Sequence, residues 1–243
     1  MGQRGGAAGR TLWPRRALIV VLLLLLGSAT LFAAYQWWTW PDVAALAGGG
    51  PVTSAFIERH RGVTGGRTEH QWVAYGAISD SLKQAVLVSE DIGFFDHEGF
   101  VLEEIGAAVR ETLKEGRRLR GASTLTQQLA KNLWLSPSRN PWRKVKEAIL
   151  TVQLERHLEK RRILELYLNV AQFGPGVFGA EAAARRYSGR PASRLDARQA
   201  AELAAALPRP SAWNPASADP AYRRRVAMIE RRMERAGWIL RQL

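Results

Sequence analysis

The chain has 243 residues and carries 35 Lys+Arg against 22 Asp+Glu, so its formal charge is +13. This length suits one folded domain of ordinary size with a short additional segment. A balance this basic indicates an anionic partner: a phosphorylated substrate, an anionic membrane surface or nucleic acid. The chain has no cysteine, which excludes disulfides, zinc sites with thiolate ligands and a cysteine nucleophile.

The first predicted element is a membrane anchor. Residues 17–40 carry no charged side chain, and a helix that crosses the hydrocarbon of a bilayer needs roughly 20 apolar residues. No acid occurs before Asp42, and positive flanks stay cytoplasmic, so we expect the N-terminus inside and the remainder outside. A cleavable signal peptide is the alternative, although its apolar stretch usually spans only about 7–15 residues. The basic residues before the run are Arg4, Arg10, Arg15 and Arg16.

The chain is therefore predicted to comprise a cytoplasmic tail (1–16), a transmembrane anchor (17–38), a linker (39–50) and a globular domain (51–243). Helical signals dominate the domain, and no run of alternating strands is evident. The sequence thus predicts a mainly α globule behind one N-terminal transmembrane helix.

Start and stop signals place the helices of the domain. Ser81 is predicted to cap a helix on which Leu82, Val86 and Glu90 share a face. A G-x-G-x-x-G pattern at 174–179 follows a helix instead of a strand, so it predicts a tight turn between helices. The other predicted helices span 124–135, 140–170 with one break, 180–187 and 197–207, and a last basic helix starts at Asp219–Pro220.

Glu90 is the first candidate for chemistry. Its helical neighbours Leu82 and Val86 place it on an apolar face, where a partly desolvated carboxylate would serve as a general base near neutral pH. The alternative is that Glu90 ends a helix and caps a neighbouring backbone. Spacing alone leaves both interpretations open.

A second candidate segment runs from Gly121 to Asn132. Ser123 or Thr124 can cap a helix, with Gln127 placed to complete a capping box. Ser123, Gln127 and Lys131 recur every four residues, and a helix N-terminus with hydroxyls is an anion site. An ordinary capped helix with a solvated lysine is the alternative.

The third candidate is the group Arg143, Lys144 and Glu147, which can share one helix face. An acid flanked by two cations could organise a pyrophosphate or a divalent metal ion, and the alternative is a surface ion-pair cluster. The basic residues of the last helix suit either a solvated face or contact with anionic lipid. Those residues are Arg223, Arg224, Arg225, Arg231, Arg232 and Arg235.

Together these segments resemble the motifs of the peptidoglycan glycosyltransferases, a lysozyme-like family that polymerises lipid II. Four motifs occur in the family's order, which makes the resemblance specific. The first is met by Glu90, Asp91, Phe94, His97 and Gly99, and the second by Gly121, Ser123, Thr124, Thr126, Gln127 and Gln128 with Lys131 following. The third is met by Arg143, Lys144 and Glu147, and the fourth by 163–169, which ends at Asn169.

The resemblance implies a lysozyme-like domain with Glu90 and Glu147 as its catalytic residues. Glu90 would deprotonate the GlcNAc 4-hydroxyl of lipid II, which attacks the MurNAc anomeric carbon of a glycan on undecaprenyl pyrophosphate. A β-1,4 bond forms with inversion. The implied substrate- and pyrophosphate-binding residues are Ser123, Gln127, Gln128, Lys131, Arg139, Arg143 and Lys144. The implied supporting residues are Asp91, Phe94, His97, Gly99, Gly121, Thr124 and Asn169.

The resemblance also sets expectations for cofactors, partners and location. It implies no covalent cofactor and a candidate divalent cation, Mg²⁺ or Mn²⁺, near Glu147. The expected partners are lipid II, the lipid-linked glycan, the membrane and cell-division or elongation proteins, but not nucleic acid. The expected location is the bacterial inner membrane, with one span and the catalytic domain outside the cytoplasm.

The chain contains neither S-x-x-K nor K-T-G, so we expect glycan polymerisation without peptide cross-linking.

Three other functions were weighed against this one. One glutamate on an α fold also suits a lysozyme-type enzyme that cleaves glycan. A catalytically inactive membrane scaffold of the cell-wall machinery is the non-enzymatic alternative. DNA binding, suggested by charge alone, is disfavoured by the predicted outward topology.

Overall fold

The structure is a computed structural model that describes residues 13–50, 52–64, 68–101, 123–137 and 140–243. The chain divides into two units, Met1–Asp42 and Val43–Leu243. In the first unit, helix α1 (Trp13–Trp38) contains an apolar stretch, Ala17–Trp38. At a rise of 1.5 Å per residue its 22 residues extend about 33 Å, enough for a hydrocarbon layer about 30 Å thick. The prediction of one N-terminal apolar helix is confirmed.

The second unit is mainly α, as predicted. Its first described elements are α2 (Ala55–Thr64), β1 (Glu69–His70), α3 (Asp80–Glu90) and α4 (Leu125–Trp134). They are followed by α5 (Pro141–His157), α6 (Lys160–Val170), β2 (Gln172–Gly174) and β3 (Val177–Phe178). The last are α7 (Ala180–Ser188), α8 (Ala197–Ala206) and α9 (Pro220–Arg235). Short 3₁₀ segments lie at Ala44–Gly48, Tyr75–Ala77, Ala192–Arg194 and Gly237–Arg241.

Helix starts are set largely by local capping chemistry. Thr124 caps α4 through a capping box with Gln127, and Asn140 and Asp219 each cap a helix whose first residue is proline, as predicted. The prediction for α3 is wrong by two residues. Ser79, in extended backbone, accepts from the Leu82 amide at 3.2 Å, so Ser81 lies inside the first turn.

The predicted tight turn at 174–179 is present at 175–176, but it joins two strands of a small sheet that the sequence did not predict. Strands β2 and β3 form an antiparallel hairpin, and β1 pairs in parallel with β3. Strands of two or three residues are too short to leave an alternating pattern, which explains why the sequence did not reveal them. Gly179 has φ +83°, and a Cβ there would lie 2.7 Å from the Asn169 carbonyl oxygen.

The core gathers the elements that carry the motifs. Helix α4 packs on α5 and α6, while α8 packs on α3 and α9. Leu129 of α4, Leu164 of α6 and Leu203 of α8 are fully buried. This arrangement brings the C-terminal end of α3 close to both α4 and α9.

Candidate active site

Glu90 is the last residue of α3, and its side chain is only 11% exposed. Oε1 accepts hydrogen bonds from Ser89 Oγ at 3.0 Å and from Arg225 Nη2 of α9 at 2.9 Å. Oε2 accepts from Gln128 Nε2 of α4 at 3.1 Å. Leu82 is buried on the apolar face of α3, as the helical pattern predicted. The Glu90 carboxylate, in contrast, is surrounded by polar side chains. Three elements therefore fix the position of this carboxylate.

A buried tyrosine orients the amide that contacts Glu90. Tyr167 of α6 donates from its hydroxyl to Gln128 Oε1 at 3.0 Å, which leaves Gln128 Nε2 facing Glu90. Burial raises the pKa of Tyr167 well above its ordinary value, and the nearby carboxylates of Glu90 and Asp91 act in the same direction. The hydroxyl therefore keeps its proton and remains a donor.

Asp91 and His97 fasten the turn after α3 to the start of α4. Asp91 Oδ2 accepts from the Leu125 amide at 2.8 Å, and Asp91 Oδ1 lies 3.0 Å from His97 Nε2. His97 Nδ1 accepts from the Gly99 amide at 3.0 Å, so Nε2 carries the proton and donates to Asp91. Asp91 thus satisfies an otherwise unpaired amide of the helix N-terminus.

Gly99 closes the same turn against α5. Its φ is +86°, and a Cβ there would lie 2.7 Å from Thr151 Cγ2. Its carbonyl oxygen accepts from Thr124 Oγ1 at 2.7 Å. Phe94 is fully buried beneath the turn, with Lys160 Nζ 4.6 Å from its ring centroid. These supporting residues hold the first motif to the start of α4.

A basic cluster, defined as Lys131, Arg143 and Lys144 around Glu147, lies beside this turn. Glu147 is buried, with Arg143 Nη1 at 3.3 Å from Oε2 and Lys144 Nζ hydrogen-bonded to Oε1. Burial lowers the pKa of Lys131. The Glu147 carboxylate acts to raise the pKa of Lys131, whereas the neighbouring cations Arg143 and Lys144 lower it further. Three of the four predicted cations therefore lie around the Glu147 carboxylate.

The donor set around Glu147 does not form a divalent-cation site by itself. Both Glu147 oxygens bind cationic side chains. Among the described residues there is no group of three His, Cys, Asp or Glu side chains arranged to hold a metal ion. Mg²⁺ is usually bound by one or two carboxylates together with substrate phosphates and water, and the described residues supply here only the Glu147 carboxylate, which is ion-paired.

The other predicted residues have different surroundings. Ser123 is exposed, whereas Gln127 is buried, and its Oε1 accepts from the Thr124 amide at 2.9 Å. Asn169 is buried, and its side chain exchanges two hydrogen bonds with the Val73 backbone, each 2.9 Å long. Gly121 and Arg139 lie outside the described residues.

Two cavities border this constellation. The larger, about 960 Å³, is lined by Glu90, Asp91 and Ser123 on one side and by Arg232, Arg235 and Trp238 on the other. The smaller, about 190 Å³, is lined by Gln128, Lys131 and Tyr167 together with apolar residues that include Phe56 and Pro208. The larger volume is within the range of ligand pockets, roughly 300–1,000 Å³. A substrate in it would meet the Glu90 carboxylate.

The motifs missed two residues that contact Glu90, its neighbour Ser89 and the distant Arg225. A signal was nevertheless present, because the buried stripe of α9 runs through Tyr222, Val226 and Ile229. Arg225 is three residues after Tyr222 and four before Ile229, so it lies beside that stripe. Arg223 and Arg224 lie away from it and are exposed.

Comparisons with known proteins all find similarity to one family. The family model described as Transglycosylase matches residues 58–234. A biosynthetic peptidoglycan transglycosylase of Laribacter hongkongensis is 46% identical over 208 residues, covering 84% of this chain and 91% of the relative. One from Chromobacterium violaceum is 52% identical over 164 residues, covering 68% and 72%. One from Methylobacillus flagellatus is 43% identical over 211 residues, covering 85% and 92%.

Proposed function

Because this chain belongs to the transglycosylase family, an enzyme family of peptidoglycan synthesis, we propose that it polymerises glycan strands from lipid II. The observation that carries the proposal is the Glu90 carboxylate, held by three side chains at the wall of a large cavity and close to the basic cluster. One positioned base and a neutralised leaving group suffice for an inverting displacement.

In the proposed reaction Glu90 removes the proton from the GlcNAc 4-hydroxyl of lipid II. The hydroxyl oxygen attacks the anomeric carbon of the MurNAc at the end of the growing chain. The bond from that carbon to the pyrophosphate breaks, and the pyrophosphate leaves with the electron pair. A β-1,4 bond has formed with inversion, and the proton rests on Glu90.

The basic cluster is proposed to stabilise the departing undecaprenyl pyrophosphate. Arg143 and Lys144 are fixed by Glu147, and Lys131 carries its charge in a largely desolvated position, where electrostatic interactions are strengthened. Glu147 would then act by holding two cations in place. The predicted Mg²⁺ or Mn²⁺ near Glu147 stays a prediction, which polymerisation assays with and without EDTA would test.

The anchor fits substrates that are themselves tethered to a membrane. Helix α1 is long and apolar enough to span a bilayer. We propose a bacterial inner-membrane protein with one span, a cytoplasmic N-terminus and the second unit outside the cytoplasm. The same placement would allow contact with cell-division or elongation proteins. Polymerisation without peptide cross-linking completes the proposal.

The test is a lipid II polymerisation assay with Glu90→Gln. We expect the variant to retain the wild-type melting temperature and to lose about 100-fold or more in rate, because the amide cannot accept the proton. Glu98→Gln, at an exposed acid of the same turn, is the matched control and should retain activity. Near-normal turnover by Glu90→Gln would rule out Glu90 as the base. Release of soluble fragments from isolated cell wall would favour the glycan-cleaving alternative.

A further inference from the structure

The hydrogen bonds at Glu90 are unequally shared between its two oxygens. Each oxygen of an ionised carboxylate has about two acceptor positions. Both positions of Oε1 are occupied, by Ser89 Oγ and by Arg225 Nη2. Within the described part of the chain Oε2 accepts one bond, from Gln128. One acceptor position of Oε2 therefore remains for a substrate hydroxyl.

From this geometry we infer that Arg225 is a positioning residue, which together with Ser89 saturates Glu90 Oε1 and makes Oε2 the atom that accepts the substrate proton. The inference rests on the proposed function and refines it. Arg225 acts through Glu90 and not on the substrate.

The surroundings of Arg225 support a dedicated role. Its Nη2 donates to both Ser89 Oγ and Glu90 Oε1, each at 2.9 Å. Its Nε is buried and has no hydrogen-bond partner in the described structure. Leaving a buried donor unpaired is unfavourable, and most folded proteins avoid it. Among the described residues, the hydrogen bonds of this guanidinium go to the Glu90 carboxylate and to its serine neighbour, and none goes to a backbone carbonyl.

The orientation of Gln128 makes the two oxygens inequivalent. Because Tyr167 donates to Gln128 Oε1, the amide nitrogen must face Glu90, and it supports Oε2 without filling it. Among the described residues, charged or titratable neighbours of Glu90 are Arg225 from α9, Lys131 from α4, Tyr167 from α6 and the adjacent Asp91. Arg225 is the one of these that is ion-paired to Glu90.

The first experiment measures kcat and KM for lipid II polymerisation by the full-length chain. For Arg225→Ala we expect kcat to fall about 10-fold or more, with KM within about 3-fold of wild type, since loss of base positioning affects the chemical step. The exposed neighbour Arg224→Ala should stay within about 2-fold in both constants. An unchanged kcat, or a higher KM with an unchanged kcat, would overturn the inference, the latter because it would show direct substrate binding.

The second experiment is a pH profile of kcat, which a purely structural role would not move. Removal of the neighbouring cation makes a carboxylate easier to protonate, so the acid limb should move to higher pH in Arg225→Ala. Arg225→Lys keeps the charge and should leave the limb near its wild-type position while recovering part of kcat. If Arg225→Ala does not fold, Arg225→Gln removes the charge and keeps an N–H donor, and it should show the same movement. If the acid limb of the kcat profile lies at the same pH in wild type and in all variants, the inference is contradicted.

A double mutant tests whether the two donors act together on Oε1. If Arg225 and Ser89 form one unit, Ser89→Ala should lower kcat much less in the Arg225→Ala background than in wild type. Fully additive losses would contradict this. Glu90→Gln separates the two levels of failure: if that variant is inactive while Arg225→Ala is normal, the positioning role alone fails. If Glu90→Gln is active, the proposed base fails as well.

Discussion

At the scale of single residues, the structure separates side chains that face the cavity from those that build its support. Glu90 and Ser123 line the larger cavity, whereas Gln127 and Asn169 use their polar atoms to hold backbone in place. Gly99 belongs to the support, because both its positive φ and its close approach to Thr151 require the absence of a Cβ. The motifs therefore mix residues selected for chemistry with residues selected for conformation.

Gly99→Ala should destabilise the fold strongly. The backbone strain and the 2.7 Å contact with Thr151 Cγ2 together suggest a loss on the order of 3 kcal/mol in the free energy of unfolding. Gly93→Ala is the matched control, because a Cβ there meets nothing within 4 Å. Thermal unfolding of both variants provides the measurement. Equal melting temperatures for the two would contradict the steric explanation.

Lys131→Met should raise stability while lowering activity. Burial lowers the pKa of Lys131 in the folded state, so its charge opposes folding at every pH below that pKa. The penalty decreases as the pH rises through the folded pKa and vanishes above the ordinary lysine value near ~10.4. The melting-temperature advantage of the variant should therefore be largest at neutral pH and shrink under alkaline conditions. A variant that melts below wild type at pH 7 would show that the lysine is structural.

At the scale of elements, the start of α4 joins three parts of the chain. Asp91 accepts from the Leu125 amide, and Thr124 both caps the helix and donates to the Gly99 carbonyl. The helix N-terminus and the turn after α3 therefore stabilise each other. The second motif contributes to the site partly by holding the first.

Thr124→Ala should cost about 0.5–2 kcal/mol, the usual range for loss of an N-cap. The Gly99 carbonyl would also lose its hydroxyl partner. Thr124→Ser keeps the hydroxyl and serves as the control, which should stay near wild type. Urea unfolding midpoints measure the difference. A serine variant as unstable as the alanine variant would indicate that the methyl group is what matters.

The elements also show how far sequence reasoning extends. The caps at Thr124, Asn140 and Asp219 were predictable because capping depends on a few consecutive residues. The β2–β3 hairpin was not, because strands of two or three residues leave no alternating pattern, and β1, which pairs with β3, lies about a hundred residues earlier in the chain. Arg225 was hidden for the same reason: its contact with Glu90 joins two helices 135 residues apart in the chain. Local signals thus predict elements, whereas the partners of a site require the fold.

At the scale of the whole molecule, the cysteine-free sequence permits a direct test of topology. We expect a membrane-impermeant maleimide to label Arg190→Cys, an exposed position of the second unit, in intact spheroplasts. Gly2→Cys, before the anchor, should react only after the membrane is permeabilised. Because wild type has no thiol, it provides the blank. The reverse labelling pattern would contradict the proposed orientation.

The hydrogen-bond donors to Glu90 are far apart in the chain, which has a consequence for folding during synthesis. Ser89, Gln128 and Arg225 together supply the hydrogen bonds to one carboxylate, and the last of them lies 135 residues beyond it. A ribosome-bound chain that has not yet released α9 cannot complete this set, whatever it has already folded. The arrangement around Glu90 is therefore completed only after α9 has been synthesised.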